Sequence, residues 1–258
     1  MNELQLINAY FITILAITGA CAGSFINVAA LRRSEGLSFI SGRSHCPSCN
    51  KKLQWFELIP VISWLAQLGR CRKCKDRIPP RYMLVEIIGG AAAAMSFVRY
   101  RFTWMTPLAF GVAVILLAIT MIDLTSREIP DGLIIALIPF AIGAIWAQPE
   151  VTLLSRAIGI IAVSFPMLVL AFFIDGAFGG GDIKLMAVCG AMLGWQSTLP
   201  AFFIGVVFAG CVSVTLMIRK KAKRGAHIAF GPHLCLGVMA ALLYGREIIS
   251  WYLKLYGL

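Results

Sequence analysis

Apolar and polar positions divide this chain into long hydrophobic runs with short polar breaks, plus one long polar interruption. Runs of membrane-spanning character fall at about residues 4–30, 83–98, 104–122, 133–148, 156–175, 184–199, 201–218 and 228–245. Several are short for a bilayer, and Pro139, Pro166 and Pro232 interrupt others, so eight is a working count. The polar interruption runs from Arg32 to about Arg81. The pattern predicts an all-α polytopic membrane protein of about eight transmembrane helices, with a small polar insertion after the first helix. It divides the chain into residues 1–30 as the first transmembrane helix, 31–82 as the insertion and 83–258 as the remaining membrane domain.

Composition agrees with that class. The 258 residues are 59% hydrophobic and 14% charged, against about 45–50% and about 25% in soluble domains. No Lys or Arg precedes Arg32, so the N-terminal run lacks the basic segment of a signal peptide. Leu4 to about Ala30 therefore reads as a retained helix. The net charge of +11 points to membrane topology before nucleic acid, because basic residues cluster on the cytoplasmic flanks of membrane spans. A basic balance without a nucleic-acid-binding motif does not indicate such a partner.

An even number of spans separates the insertion, the loop at Asp123–Asp131, the segment Gly179–Asp182 and the run "RKKAKRGAH" at Arg219–His227, so all four share one face. That face carries eleven basic residues from Arg32 to Arg81, Arg127, Lys184 and five from Arg219 to Arg224, most of the chain's 23. The positive-inside rule makes it cytoplasmic.

The insertion holds "CPSC" at Cys46–Cys49 and "CRKC" at Cys71–Cys74. Two such knuckles can present four thiolates to one metal ion in the manner of a zinc ribbon. A reducing cytoplasm favours metal over disulfides, with two disulfides or a redox pair as the alternative. A closed four-cysteine site has no open position for substrate, so Cys46, Cys49, Cys71 and Cys74 are expected to hold structural zinc. His45 is a neighbour of the first ligand. Cys21, Cys189, Cys211 and Cys235 lie in apolar runs, where cysteine acts as a small hydrophobe.

Asp123, in "MIDLTSREIPD", and Asp182, in "GGGDIKLM", lie where independent spans meet the shared face. Either alone can be helix punctuation, with Asp182 as an N-cap after a glycine turn. Two carboxylates at one depth in a membrane are costly and usually functional. A facing pair that shares one proton can activate water and polarise a carbonyl. Gly179, Gly180 and Gly181 would allow close backbone approach and open φ/ψ space beside Asp182. Lys184 is either a membrane-surface anchor or a substrate contact. Asp131 and Asp175 are rival carboxylates suited to turns, and Glu86 is a buried acid with no evident partner. The H-E-x-x-H, G-x-S-x-G and P-loop patterns are absent, and no strand–helix alternation suits a Rossmann site.

"GSFINVAALRR" (Gly23–Arg33), the CPSC/CRKC pair, "IPVISWL" (Ile59–Leu65), "CRKCKDRIPPRYMLVEIIGG", "DLTSREIPD", "GGGDIKLMAVCGAMLG" and "FGPHLCLG" together resemble the bacterial type IV prepilin peptidases. The Gly-x-Gly-Asp element at Gly179–Asp182 is also similar to that of presenilin and signal peptide peptidase. Where many relatives carry Leu-Pro and Pro, this chain has Arg33–Ser34 and Met83.

The resemblance implies an inner-membrane aspartyl endopeptidase that removes the short basic leader of type IV prepilins or type II secretion pseudopilins after a glycine. It implies Asp123 and Asp182 as the catalytic pair. It also implies methylation of the new N-terminal residue, often Phe, from S-adenosylmethionine, whose binding residues the sequence does not reveal. A peptidase without methylation, an ion-coupled transporter using Asp123, Asp182 and Glu86, and a noncatalytic scaffold docking partners through the cysteine module are the alternatives.

Overall fold

A computed structural model describes residues 3–34, 44–174, 176–219 and 229–255. The rival carboxylate Asp175 and most of the basic run at 219–227 lie outside these described residues. Ten α-helices follow one another: α1 (Glu3–Ser34), α2 (Ile62–Ala66), α3 (Arg81–Tyr100), α4 (Met105–Ser126), α5 (Asp131–Ala147), α6 (Leu153–Ala162), α7 (Ser164–Phe173), α8 (Gly180–Leu193), α9 (Trp195–Ile218) and α10 (Gly231–Leu255). Two isolated bridges, His45 to Lys52 and Arg70 to Arg77, are the extended pairings among the described residues, which contain no strand.

Among the described residues, six helical stretches are long and apolar enough to cross a membrane: Glu3–Arg33, Arg81–Tyr100, Met105–Ser126, Leu153–Phe173, Trp195–Ile218 and Gly231–Leu255. Asp131–Ala147 is a shorter apolar helix. With 14 residues, α8 extends only about 21 Å. The expected eight apolar elements are thus present, and two are shorter than a hydrocarbon layer. One boundary differs from the sequence pattern. The apolar runs divide into 184–199 and 201–218, whereas the chain breaks at Gly194 with φ +74 and Pro200 lies inside α9. A positive φ ends a helix at little cost only for glycine.

The chain forms two compact units, dividing between Met121 and Ile122 within α4. In the first, α1 packs against α3 through small residues. A Cβ on Gly19 would collide with the carbonyl oxygen of Gly89, and one on Gly89 with that of Gly19. With no hydrophobic effect between helices in lipid, such close backbone approach supplies the packing. Phe11 stacks on Phe97, and Phe102 meets both edge-on.

In the second unit, α6 meets α8 where Gly159 and Gly190 touch backbone to backbone. α10 meets α9 at Gly237, opposite Ala201 and Gly205. Arg156, 4% exposed, donates to the carbonyls of Ala144, Gln148, Val151, Ala191 and Met192. Four of these belong to the C-terminal ends of α5 and α8, where free carbonyls and the helix dipole favour a cation.

Candidate active site and metal centre

Asp123 lies in the last turn of α4, where the helix dipole disfavours negative charge. Its carboxylate turns to the opposite pole of another helix. Gly231, the first residue of α10, donates its backbone N–H to Asp123 Oδ2 at 3.0 Å, and the bond is buried. Asp123 is 5% exposed. α4 ends at Arg127, whose N–H donates to the Asp123 carbonyl from a left-handed φ of +57. That cap turns the chain into the loop carrying Ile129.

Asp182 is not the N-cap of α8. Gly179 holds that position, and Asp182 is the third helical residue. Its Oδ2 reaches back to accept the Gly179 N–H at 3.2 Å, the acid half of a capping box. Capping and burial coincide in this residue, which is 9% exposed. Asp123 and Asp182 are close enough for their charges to interact. Each therefore uses one oxygen on a backbone amide at a helix start, where donors and dipole both favour an anion.

The three glycines act through space, not through unusual backbone angles. Gly179 has φ −74, and Gly180 and Gly181 are helical. A Cβ on Gly181 would lie 2.8 Å from Ile129 Cβ, and one on Gly179 would lie 3.2 Å from Asp182 Oδ2. Gly180 faces open space. Ile129 also borders Gly231, where a Cβ would meet its Cδ1 at 3.3 Å and Asp123 Oδ2 at 2.7 Å. The α4–α5 loop is thus wedged between the starts of α8 and α10.

Lys184 pairs with Asp131 at 2.8 Å, and both side chains are exposed. This joins the first turns of α8 and α5, a partnership the sequence did not indicate. The sequence reading also missed Gly231 and His233. The imidazole of His233 has Nδ1 3.2 Å from the Ala229 carbonyl and interacts electrostatically with Asp123. The "FGPH" run was the available signal, but it names no chemistry until α10 is placed. Glu86, a candidate relay acid, lies in the first unit and accepts the Val61 N–H at 2.6 Å.

The cysteine module also lies within the first unit. Its two knuckles are built alike. Asn50 and Lys75, each following a second cysteine, adopt φ +53 and +62 and donate to the carbonyls of Cys46 and Cys71 at 2.9 Å. Cys46 and Cys71 donate in turn to Lys51 and Asp76 carbonyls at 3.0 and 2.9 Å. All four cysteines are free thiols, and their sulfurs lie within 4.8 Å of one another.

Cys46 and Cys74 Sγ atoms are 3.8 Å apart, the edge of a tetrahedron with metal–sulfur bonds of about 2.3 Å. Amides of Cys74 and Lys73 pull the Cys71 thiol down to about 6. Cys74 has an amide donor from Asp76, yet desolvation and the sulfurs of Cys71, Cys49 and Cys46 push it up to about 12. Four sulfurs this close can all ionise only around a cation, so the donor set fits a metal ion. Ser48 bonds Asp76 across the knuckles, and Lys51 pairs with buried Glu57 at 2.9 Å.

Helices long and apolar enough to cross a membrane define a polytopic membrane protein, which carries two buried carboxylates, Asp123 and Asp182, and a four-thiol centre. Residues 17–100 match the bacterial peptidase A24 N-terminal domain, and residues 108–214 match the type IV leader peptidase family. The chain belongs to that family. It is 32% identical to the prepilin leader peptidase/N-methyltransferase of Bacillus subtilis over 95% of this chain and 98% of that protein. Identity to the protein of the same name from Stutzerimonas stutzeri is 31%, covering 95% and 94%. For that of Burkholderia pseudomallei it is 34%, covering 83% and 70%. No solved structure matches the chain.

Proposed function

We propose that this protein cleaves the leader peptides of type IV prepilins and N-methylates the new terminus, with Asp123 and Asp182 as the hydrolytic pair. The buried, interacting pair carries the reading. Hydrolysis by two carboxylates needs one ionised and one protonated. The ionised member takes a proton from water as its oxygen attacks the scissile carbonyl carbon. The protonated member donates to the carbonyl oxygen, and proton return to the amide nitrogen accompanies rupture of the C–N bond. Gly231 and Gly179 hold one oxygen of each carboxylate, leaving the others for this work. Gly180 leaves room for a substrate backbone alongside.

The positive-inside distribution supports an inner-membrane protein with the pair and the cysteine module facing the cytoplasm, where a basic leader awaits cleavage. Pseudopilins of type II secretion have the same leader chemistry and are included as substrates, while nucleic acid is not. The four-thiolate donor set supports zinc in a structural role. S-adenosylmethionine supplies an electrophilic methyl group, which passes to the terminal amine as the C–S bond breaks and the amine loses a proton.

Co-expression with a prepilin, followed by mass spectrometry of its N-terminus, tests both activities. Wild type should yield a cleaved, methylated terminus. Asp123→Asn and Asp182→Asn should each abolish cleavage, and substantial cleavage by both variants would refute the assignment.

A further inference from the structure

Among the described residues of the first unit, three buried polar atoms lack partners. Asn27, in α1, is 1% exposed, and neither its Nδ2 nor its Oδ1 is hydrogen-bonded. The Nε of Arg81, at the start of α3, is also buried without a partner. Each such group carries an uncompensated desolvation penalty, and native folds rarely leave that without a reason.

Helix register brings the two residues together. Gly19 lies against Gly89 and Ala93, and Gly23 against Val85 and Glu86. The helices therefore run antiparallel, and one turn on from Gly23, at Asn27, α1 reaches the level of Arg81 and Tyr82. Glu86 joins them from one turn further along α3. It is 8% exposed, and its Oε2 accepts the Val61 N–H. Val61 holds φ +63, a costly conformation for a β-branched residue. The surroundings thus force an amide donor onto this carboxylate. The result is a buried amide and carboxylate, with the half-buried Arg81 beside Tyr82 offering its buried Nε, where the cysteine module joins α3.

We propose that Asn27, Arg81 and Glu86 bind the amino-acid end of the methyl donor. This rests on the methyltransferase reading above. That end of S-adenosylmethionine bears a carboxylate and an ammonium on one carbon. A guanidinium suits the carboxylate, Glu86 suits the ammonium, and the Asn27 side chain offers a donor to one and an acceptor to the other. The ligand would satisfy the three orphaned atoms together. A zwitterionic lipid headgroup offers related paired charges, so the test must separate the two.

The full chain is purified into nanodiscs of phosphatidylethanolamine and phosphatidylglycerol, and binding of labelled S-adenosylmethionine is measured at equilibrium. S-adenosylhomocysteine, which keeps the amino-acid end, and methylthioadenosine, which lacks it, serve as competitors. Wild type should prefer S-adenosylhomocysteine at least tenfold. Glu86→Gln, which can still accept the Val61 N–H, and Asn27→Leu should each weaken donor binding at least tenfold and erase that preference. Prepilin cleavage should stay within threefold of wild type and report an intact fold.

Variants with wild-type affinity and preference would overturn this site while leaving methylation standing. Absence of binding to wild type would overturn both readings. Donor-independent loss of stability on removing phosphatidylethanolamine, confined to wild type, would assign the cluster to lipid.

Discussion

Replacing Gly231 by alanine tests whether an amide at the start of α10 positions Asp123, the proposed hydrolytic carboxylate. The added Cβ would lie 2.7 Å from Asp123 Oδ2 and 3.1 Å from its Cγ, whereas ordinary contact begins at 3.4 Å. The carboxylate must then retreat by roughly 0.7 Å. That stretches a 3.0 Å hydrogen bond beyond useful length. A misplacement approaching 1 Å at reacting groups lowers rate by about 10²-fold, equivalent to about 2.7 kcal/mol of barrier.

Stability should change much less, because alanine raises helix propensity by up to about 1 kcal/mol and offsets part of the crowding. In proteoliposomes with a prepilin substrate, kcat should fall about a hundredfold with KM nearly unchanged. The thermal midpoint should move by only a few degrees. Cleavage within threefold of wild type, or a loss explained wholly by KM, would refute positioning through Gly231.

The remaining tests address the metal and the framework. Metal analysis of purified protein should find about one zinc per chain, and Cys71→Ser should remove it while Cys235→Ser does not; paired cysteines without metal would defeat the assignment. Arg156→Met should destabilise the second unit by about 2–4 kcal/mol, since five carbonyls lose a charged donor. Denaturation in mixed micelles measures this, and a change below 0.5 kcal/mol would show those carbonyls to be otherwise satisfied.

Local pattern made the apolar runs and the two cysteine knuckles legible, because both are written in contiguous residues. The break at Gly194 was misplaced because the apolar run at 184–199 continues past it, although a glycine closing "AMLG" is the residue that takes a positive φ. The proposed carboxylate pair was singled out through topology, which assigned two aspartates to one face. Its supports were not. Gly231 is 108 positions from Asp123 and acts through a backbone amide, which every residue but proline possesses. The same holds for Val61 and Glu86, and for the ion pair between Lys184 and Asp131, 53 positions apart.

Arg156 bears on how the chain is assembled. Its guanidinium uses carbonyls made before it, at Ala144, Gln148 and Val151, and others made more than thirty residues later, at Ala191 and Met192. Until α8 has been synthesised, this cation enters the bilayer with only three of its five acceptors, a state that membranes penalise. The late arrival of α8 completes that shell and delivers Asp182 with the same helix. The proposed hydrolytic pair is therefore finished by the same event that makes the arginine tolerable, which links maturation of the enzyme to the order of its translation.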